Sequence, residues 1–195
     1  MKKLLFVLSA LLLSTGVFAQ NFEWGAKAGL NLSTLTNTDG TKMRPGLYVG
    51  VFGEYGVNDF FGIQGELLYS MMGVKGMTMF GGVTPSGITP TYKTDYIVLP
   101  ILAKVYLMKN FSLDIGPQFG YMVSANLKLS DGNSPDYDLY KKIDNKFDLS
   151  VGMGLSYKLP YNIGVSARYN LGLTEINEGA KPKNGVIQFG VSYRL

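Results

Sequence analysis

From Phe147 to Leu171 every odd-numbered residue is apolar or aromatic, and every even-numbered one is small, polar or charged. The odd series runs Phe147, Leu149, Val151, Met153, Leu155, Tyr157, Leu159, Tyr161, Ile163, Val165, Ala167, Tyr169 and Leu171. Strict alternation over this length is the signature of β-strand, because successive side chains of a strand point to opposite faces. Pro160 and Asn162 interrupt it and predict a hairpin of two long strands. Each arm has the roughly 9 to 11 residues that a tilted strand needs to cross a bilayer. On this reading Leu149, Val151, Ile163 and Val165 lie near the middle of a membrane.

The same period organises the rest of the chain. Trp24, Ala26, Ala28, Leu30 and Leu32 alternate with Gly25, Lys27, Gly29 and Asn31, and a polar loop is expected over 33–44. A second strand, Pro45 to Tyr55, turns at Asn58-Asp59 into a third that carries Phe61, Ile63, Leu67, Tyr69 and Met71 outward. After a long loop over 73–94 comes a fourth strand, Asp95 to Leu107, in which Pro100 predicts a bulge or local irregularity because it cannot donate to a ladder. Strand five starts at Phe111. With the turn centred on Lys109, Leu107 pairs with Phe111 and Lys104 stands opposite Asp114. Long loops are expected again over 129–146 and 174–184, and the chain closes on Ile187, Phe189, Val191, Tyr193 and Leu195. Connections therefore alternate long and short. This rhythm predicts an all-β, eight-stranded antiparallel up-and-down transmembrane β-barrel with both termini at the short-turn end.

Lys2 and Lys3, the apolar run Leu4 to Leu13, and Val17-Phe18-Ala19 before Gln20 have the form of a secretory signal peptide cleaved after Ala19. Ten apolar residues fall short of the roughly 20 that a spanning helix needs. The reading divides the chain into a leader, 1–19, and one barrel domain, 20–195, with only Gln20 to Glu23 before the first strand. Without the leader, 16 basic and 14 acidic side chains remain, a balance that argues against nucleic acid as a partner. There is no cysteine, hence no disulfide framework.

Alternation alone also fits a soluble barrel whose oily face points inward. Two features separate the cases. The oily positions nearest the short turns are Trp24, Tyr55, Phe61, Phe111, Tyr157, Tyr161 and Tyr193, which form an aromatic girdle at one membrane interface. The opposite face is mostly Gly, Ser, Asn and Gln, small enough for a narrow lumen, whereas a water-facing surface is rich in Lys and Glu. Eight strands leave an interior just wide enough for side chains to fill. Tyr48 and Phe52 point into it, together with a polar network of Lys27, Glu54, Gln64, Glu66, Lys104, Asp114, Gln118, Arg168 and Gln188.

The chain contains no histidine. An acyl-transfer or hydrolytic site of the usual kind would lack its general base, and metal sites built on histidine or cysteine are excluded as well. Glu54 and Glu66 are read as charges neutralised by Lys27, Lys104 and Arg168 rather than as an acid-base pair. Asp131, Asp136 and Asp138 gather oxygen ligands, but their spacing matches no EF-hand and Lys141 and Lys142 follow, so the segment reads as a solvated loop. Met77, Met79 and Phe80 are either an adaptable contact surface for a partner or, on the plainer reading, residues that pack on each other where strands three and four extend above the bilayer. Gly152-Met153-Gly154 precedes no helix and is no nucleotide loop. No cofactor is expected.

The segments Tyr96-Ile-Val-Leu-Pro-Ile-Leu-Ala-Lys-Val-Tyr106, Ile115-Gly-Pro-Gln-Phe-Gly-Tyr121, Ala167-Arg-Tyr-Asn-Leu-Gly-Leu173 and Phe189-Gly-Val-Ser-Tyr-Arg-Leu195 resemble the PorT-like outer-membrane β-barrel family. The resemblance covers essentially the whole chain after residue 19. It implies residence in the outer membrane of a Gram-negative bacterium, with lipid and lipopolysaccharide around the barrel and other envelope proteins meeting its loops. A non-enzymatic structural or interaction role at the cell surface is the leading expectation. A narrow passive channel for small or hydrophobic solutes, or an accessory of a protein secretion system, stands as the alternative.

Overall fold

The computed structural model describes residues 21–36, 42–76, 90–129, 137–143, 145–174 and 183–195. Eight long antiparallel strands form the fold: β1 (Phe22–Thr36), β2 (Lys42–Gly56), β3 (Phe61–Lys75), β4 (Thr91–Met108), β5 (Phe111–Lys128), β7 (Phe147–Lys158), β8 (Ile163–Gly172) and β9 (Lys183–Arg194). A two-residue strand, β6 (Tyr137–Asp138), pairs with the end of β5, and a single 3-10 turn, Tyr140–Lys142, follows it. Each long strand pairs with its sequence neighbour, and β1 pairs with β9, so the sheet closes on itself. Closure pairs each of the eight long strands on both sides, which is what allows a sheet to cross a membrane. Among the described residues no helix is long and apolar enough to span one.

The period of two becomes two surfaces. Along β7 and β8 the odd residues from Val151 to Leu171 are exposed, while Gly152, Gly154, Gly164, Arg168 and Asn170 are buried. Glycine is used where the wall must come close to a lumen side chain. A Cβ on Gly190 would lie 1.9 Å from the Tyr48 hydroxyl oxygen, so Tyr48 lies across the lumen only because β9 has no side chain there.

Several expectations are revised. The strands run further at the long-loop end than the alternation of apolar residues suggests: β1 and β2 extend into 33–44, β3 and β4 into 73–94, and β9 begins at Lys183. In these extensions backbone pairing continues although the outward residues have turned polar, as it can once a strand clears the hydrocarbon. Pro100 causes no bulge, since its neighbours Val98 and Ile101 keep one register against Leu68 and Gly65, but the β3–β4 ladder lapses at Leu99 and Pro100, the local irregularity expected there; the register shifts fall at Asp95/Tyr96 and Tyr106/Met108. Leu107 does not pair with Phe111; Met108 does, which leaves Leu107 as the extra residue, and the register recovers so that Lys104 still faces Asp114. Ile163 is not near the membrane's middle. It is the first residue of β8, next to a turn in which Tyr161 and Asn162 take left-handed φ of 62° and 61°. The Asn58-Asp59 turn forms as expected, with backbone hydrogen bonds both ways between Asn58 and Phe61.

Candidate functional site

The candidate site is the lumen. Parity alone places its charges: Lys27, Glu54, Glu66, Lys104, Asp114 and Arg168 all sit on inward-facing positions and are each at most 6% exposed. Buried charge is tolerated only when paired and hydrogen-bonded, and here three cations meet three carboxylates.

Glu66 on β3 is the centre. Its Oε1 accepts hydrogen bonds from Lys27 Nζ at 3.0 Å, Arg168 Nη2 at 2.7 Å and Gln64 Nε2 at 2.6 Å, and its Oε2 accepts from Arg168 Nη1 at 3.0 Å. The Arg168 contact is two-pronged and charge-assisted, which makes it one of the strong hydrogen-bond geometries open to a carboxylate. Because β8 and β3 are not neighbours in the sheet, this contact ties opposite walls of the barrel together.

A second cluster lies toward the short turns. Lys104 Nζ donates to Gln64 Oε1 at 2.9 Å and lies 3.2 Å from Glu54 Oε2 and 3.7 Å from Asp114 Oδ1. Asp114 accepts from the hydroxyls of Ser112, at 2.7 Å, and Ser156. Glu54 accepts from the Tyr106 hydroxyl and pairs with Lys158 at 2.8 Å. Lys158 also reaches Glu23 at 2.8 Å, and Arg194 Nε meets the same carboxylate at 3.0 Å. A continuous polar chain thus descends from Glu66 through Gln64, Lys104 and Glu54 to a vestibule of about 590 Å3 at the short-turn mouth, lined by Glu23, Tyr106, Phe60 and Met108 among others.

Toward the long loops amides predominate, with one further buried carboxylate, Asp148, which accepts from Asn184 Nδ2 at 2.8 Å. Asn170 donates to Gln188 at 2.7 Å, Gln188 to Asn31 at 2.9 Å, and Asn31 to Ser70 at 2.9 Å. Gln118, 1% exposed, joins neither cluster through its Oε1, which has no hydrogen-bond partner. Above them Tyr48, Leu68, Met72, Tyr96, Val98 and Met122 pack into an apolar plug. Between the clusters a cavity of about 20 Å3, bordered by Lys27, Phe52, Gln64 and Lys104, has room for about one water molecule.

Tyr106, Ser112, Ser156, Lys158, Glu23, Arg194 and Asn170 belong to these clusters without having been singled out in the sequence. Their inward parity was the available signal; what hid them is that they are ordinary polar residues until their partners are known. On the outside, Trp24, Tyr157, Tyr161 and Tyr193 are exposed near the short turns, and Tyr55, Phe61 and Phe111 are half-buried there. A further outward aromatic set, Tyr69, Tyr121, Phe147 and Tyr169, occupies the opposite half of the strands. Asp138 accepts from the Tyr140 backbone N–H at 2.9 Å, while Asp131, Asp136, Met77, Met79 and Phe80 lie outside the described residues.

A closed eight-stranded barrel with an apolar, aromatic-banded exterior and an ion-paired interior is an outer-membrane barrel, and the location follows from the class. The chain belongs to the family described as outer membrane protein beta-barrel domain, which matches residues 18–178. Among solved structures it is similar to Ail, the attachment invasion locus protein of Yersinia pestis, crystallised with the heparin analogue sucrose octasulfate: 19% identity, TM-score 0.53, 90% of this chain and 99% of that one. It is also similar to Neisserial surface protein A, with 16% identity, TM-score 0.56, and coverage of 89% and 97%. At these identities the likeness concerns the fold. No curated protein matches the sequence.

Proposed function

We propose that this protein is a non-conducting outer-membrane barrel of the PorT-like type, serving a structural or interaction role at the cell surface, with residues 1–19 as its cleaved leader. The observation that carries the reading is the Lys27–Glu66–Arg168 cluster. It spans the lumen from β1 and β3 to β8 and, with the apolar plug above it, occupies the path a solute would take. A lumen committed to internal ion pairs leaves the loops as the part that can meet other molecules, and loops on a rigid scaffold are where recognition commonly resides. The absence of histidine from the sequence removes the usual general base and supports a non-enzymatic role.

Site-specific photocrosslinking in intact cells separates the readings. A photoreactive residue at Asn145, on the long-loop side, is expected to capture envelope partners. Adducts formed only from Asn162, at the short turn, would favour the secretion-accessory role instead. No adduct from either site, together with swelling of protein-loaded liposomes in small sugars, would favour the channel.

A further inference from the structure

Three of the four buried carboxylates among the described residues meet a cation, and the fourth, Asp148, does not. Glu66 has Lys27 and Arg168, Glu54 has Lys104 and Lys158, and Asp114 lies 3.7 Å from Lys104. Asp148 faces inward near the start of β7, and among the described residues no Lys or Arg forms an ion pair with it. Its side-chain hydrogen bonds come from neutral donors, Asn184 Nδ2 at 2.8 Å and the Thr174 hydroxyl at 3.4 Å, both to Oδ1. A buried charge held by neutral donors alone keeps much of its desolvation penalty.

Unpaired oxygens collect beside it. Gln118 Oε1, Ser150 Oγ and Asn170 Oδ1 are buried without a hydrogen-bond partner, on residues at most 2% exposed. Two other atoms share that condition, Glu54 Oε2 and Arg194 Nε, but each lies within 3.2 Å of an opposite charge. Ser150 follows Asp148 on the same face of β7, about 7 Å along the strand. Gln118 stands directly opposite Ser150, and diagonally from Asp148, which pairs with Gly120. A side chain as long as glutamine reaches across such a diagonal. Asn170 pairs with Gly152, a rung further along, too far from Asp148 to share one ligand with it. The cation on this side of the lumen, Arg168, is committed by both prongs to Glu66.

We propose that Asp148, Ser150 and Gln118 bind a monovalent alkali cation, sodium or potassium, which supplies the positive charge that the protein does not. The donors are a carboxylate, a hydroxyl and an amide carbonyl, hard oxygens that suit a hard cation rather than a metal that seeks imidazole or thiolate. A single carboxylate matches a single positive charge. Calcium sites commonly gather several, and among the described residues no three acidic side chains come together to hold a metal. A water molecule would satisfy the hydroxyl and the amide but leave the charge of Asp148 unanswered. The ion joins β5 to β7 at the long-loop end of the lumen, beyond the reach of the Glu66 cluster.

The test unfolds the refolded mature chain with urea in lipid vesicles, at one ionic strength made up with choline, sodium, potassium or calcium chloride. Constant ionic strength removes general screening as a cause. Above the dissociation constant of the site, each tenfold rise in sodium or potassium in place of choline is expected to raise the folded-to-unfolded ratio about tenfold. The ion that acts at the lower concentration is the occupant. Asp148→Asn should still migrate as a folded barrel in gels and should lose the dependence, and Gln118→Leu should require on the order of tenfold more cation. Equal stability of the wild type in choline, sodium and potassium would overturn the proposal, as would undiminished dependence in Asp148→Asn or a larger effect of calcium. Should Asp148→Asn fail to fold, Gln118→Leu carries the same decision, and an unchanged cation requirement there would overturn the site.

Discussion

Glu66 meets two cations at once, and removing it leaves both Lys27 and Arg168 buried without a carboxylate. Breaking such a pair commonly costs about 3 to 5 kcal/mol, because the surviving charge keeps its desolvation penalty. Glu66→Ala should therefore lower barrel stability by about that amount, measured by urea unfolding from lipid vesicles; a loss under about 1 kcal/mol would mean that the cluster does not hold the walls together. Lys104 gives a finer test. It lies nearer Glu54, at 3.2 Å, than Asp114, at 3.7 Å. Reversing Lys104 and Asp114 together would set an acid at 104 against Glu54, so the double reversal should not recover the loss, and a double-mutant cycle should find stronger coupling of Lys104 to Glu54 than to Asp114. The inward position of these residues was legible from parity. That Lys27, Lys104 and Arg168 neutralise Glu54 and Glu66 was legible as a set; a specific pair was legible only across a single hairpin, where counting from a turn sets Lys104 opposite Asp114. Arg168 reaching Glu66 depends on barrel closure, which brings together residues 102 apart in sequence and from strands that never pair.

At the scale of the strand, the alternation that defines β7 and β8 predicts a contrast between depth and face. Met153 lies midway along the lipid-facing column of β7, between Phe147 and Tyr157, whereas Ile163 starts β8 beside its turn. Met153→Arg should cost about 2 to 4 kcal/mol and Ile163→Arg about 0 to 1 kcal/mol, since the penalty falls steeply toward the interface. Folding yields into vesicles that are equal for the two variants would contradict this placement. A Cβ at Gly190 would collide with the Tyr48 hydroxyl, so Gly190→Ala should cost about 1 to 3 kcal/mol by overpacking, read from the same unfolding curves. Strand identity and facing were legible because lipid and lumen impose opposite demands on alternate residues. Strand ends were not, because above the hydrocarbon that contrast fades while the ladder continues, as β2 does back to Lys42 and β3 does on to Lys75.

For the whole molecule, closure and filling are one property. Eight strands give an interior that side chains can occupy, and this one is occupied by Tyr48, Phe52, the Glu66 cluster and the Asn31–Gln188–Asn170 chain. The eight-strand count was legible in the alternation of long and short connections, and the membrane setting in the small residues of the inward face. The filling of the lumen was legible from the strand count and the inward residues; how its charges meet across it required the closed sheet. The direct measurement is ion current through purified protein in planar bilayers. The wild type is predicted to give no steady, size-selective conductance, because opening a path would require breaking the paired Lys27–Glu66–Arg168 cluster. A large stable conductance from wild-type protein, abolished by bulky substitution at Gly152 or Gly164, would contradict the sealed lumen and establish a channel.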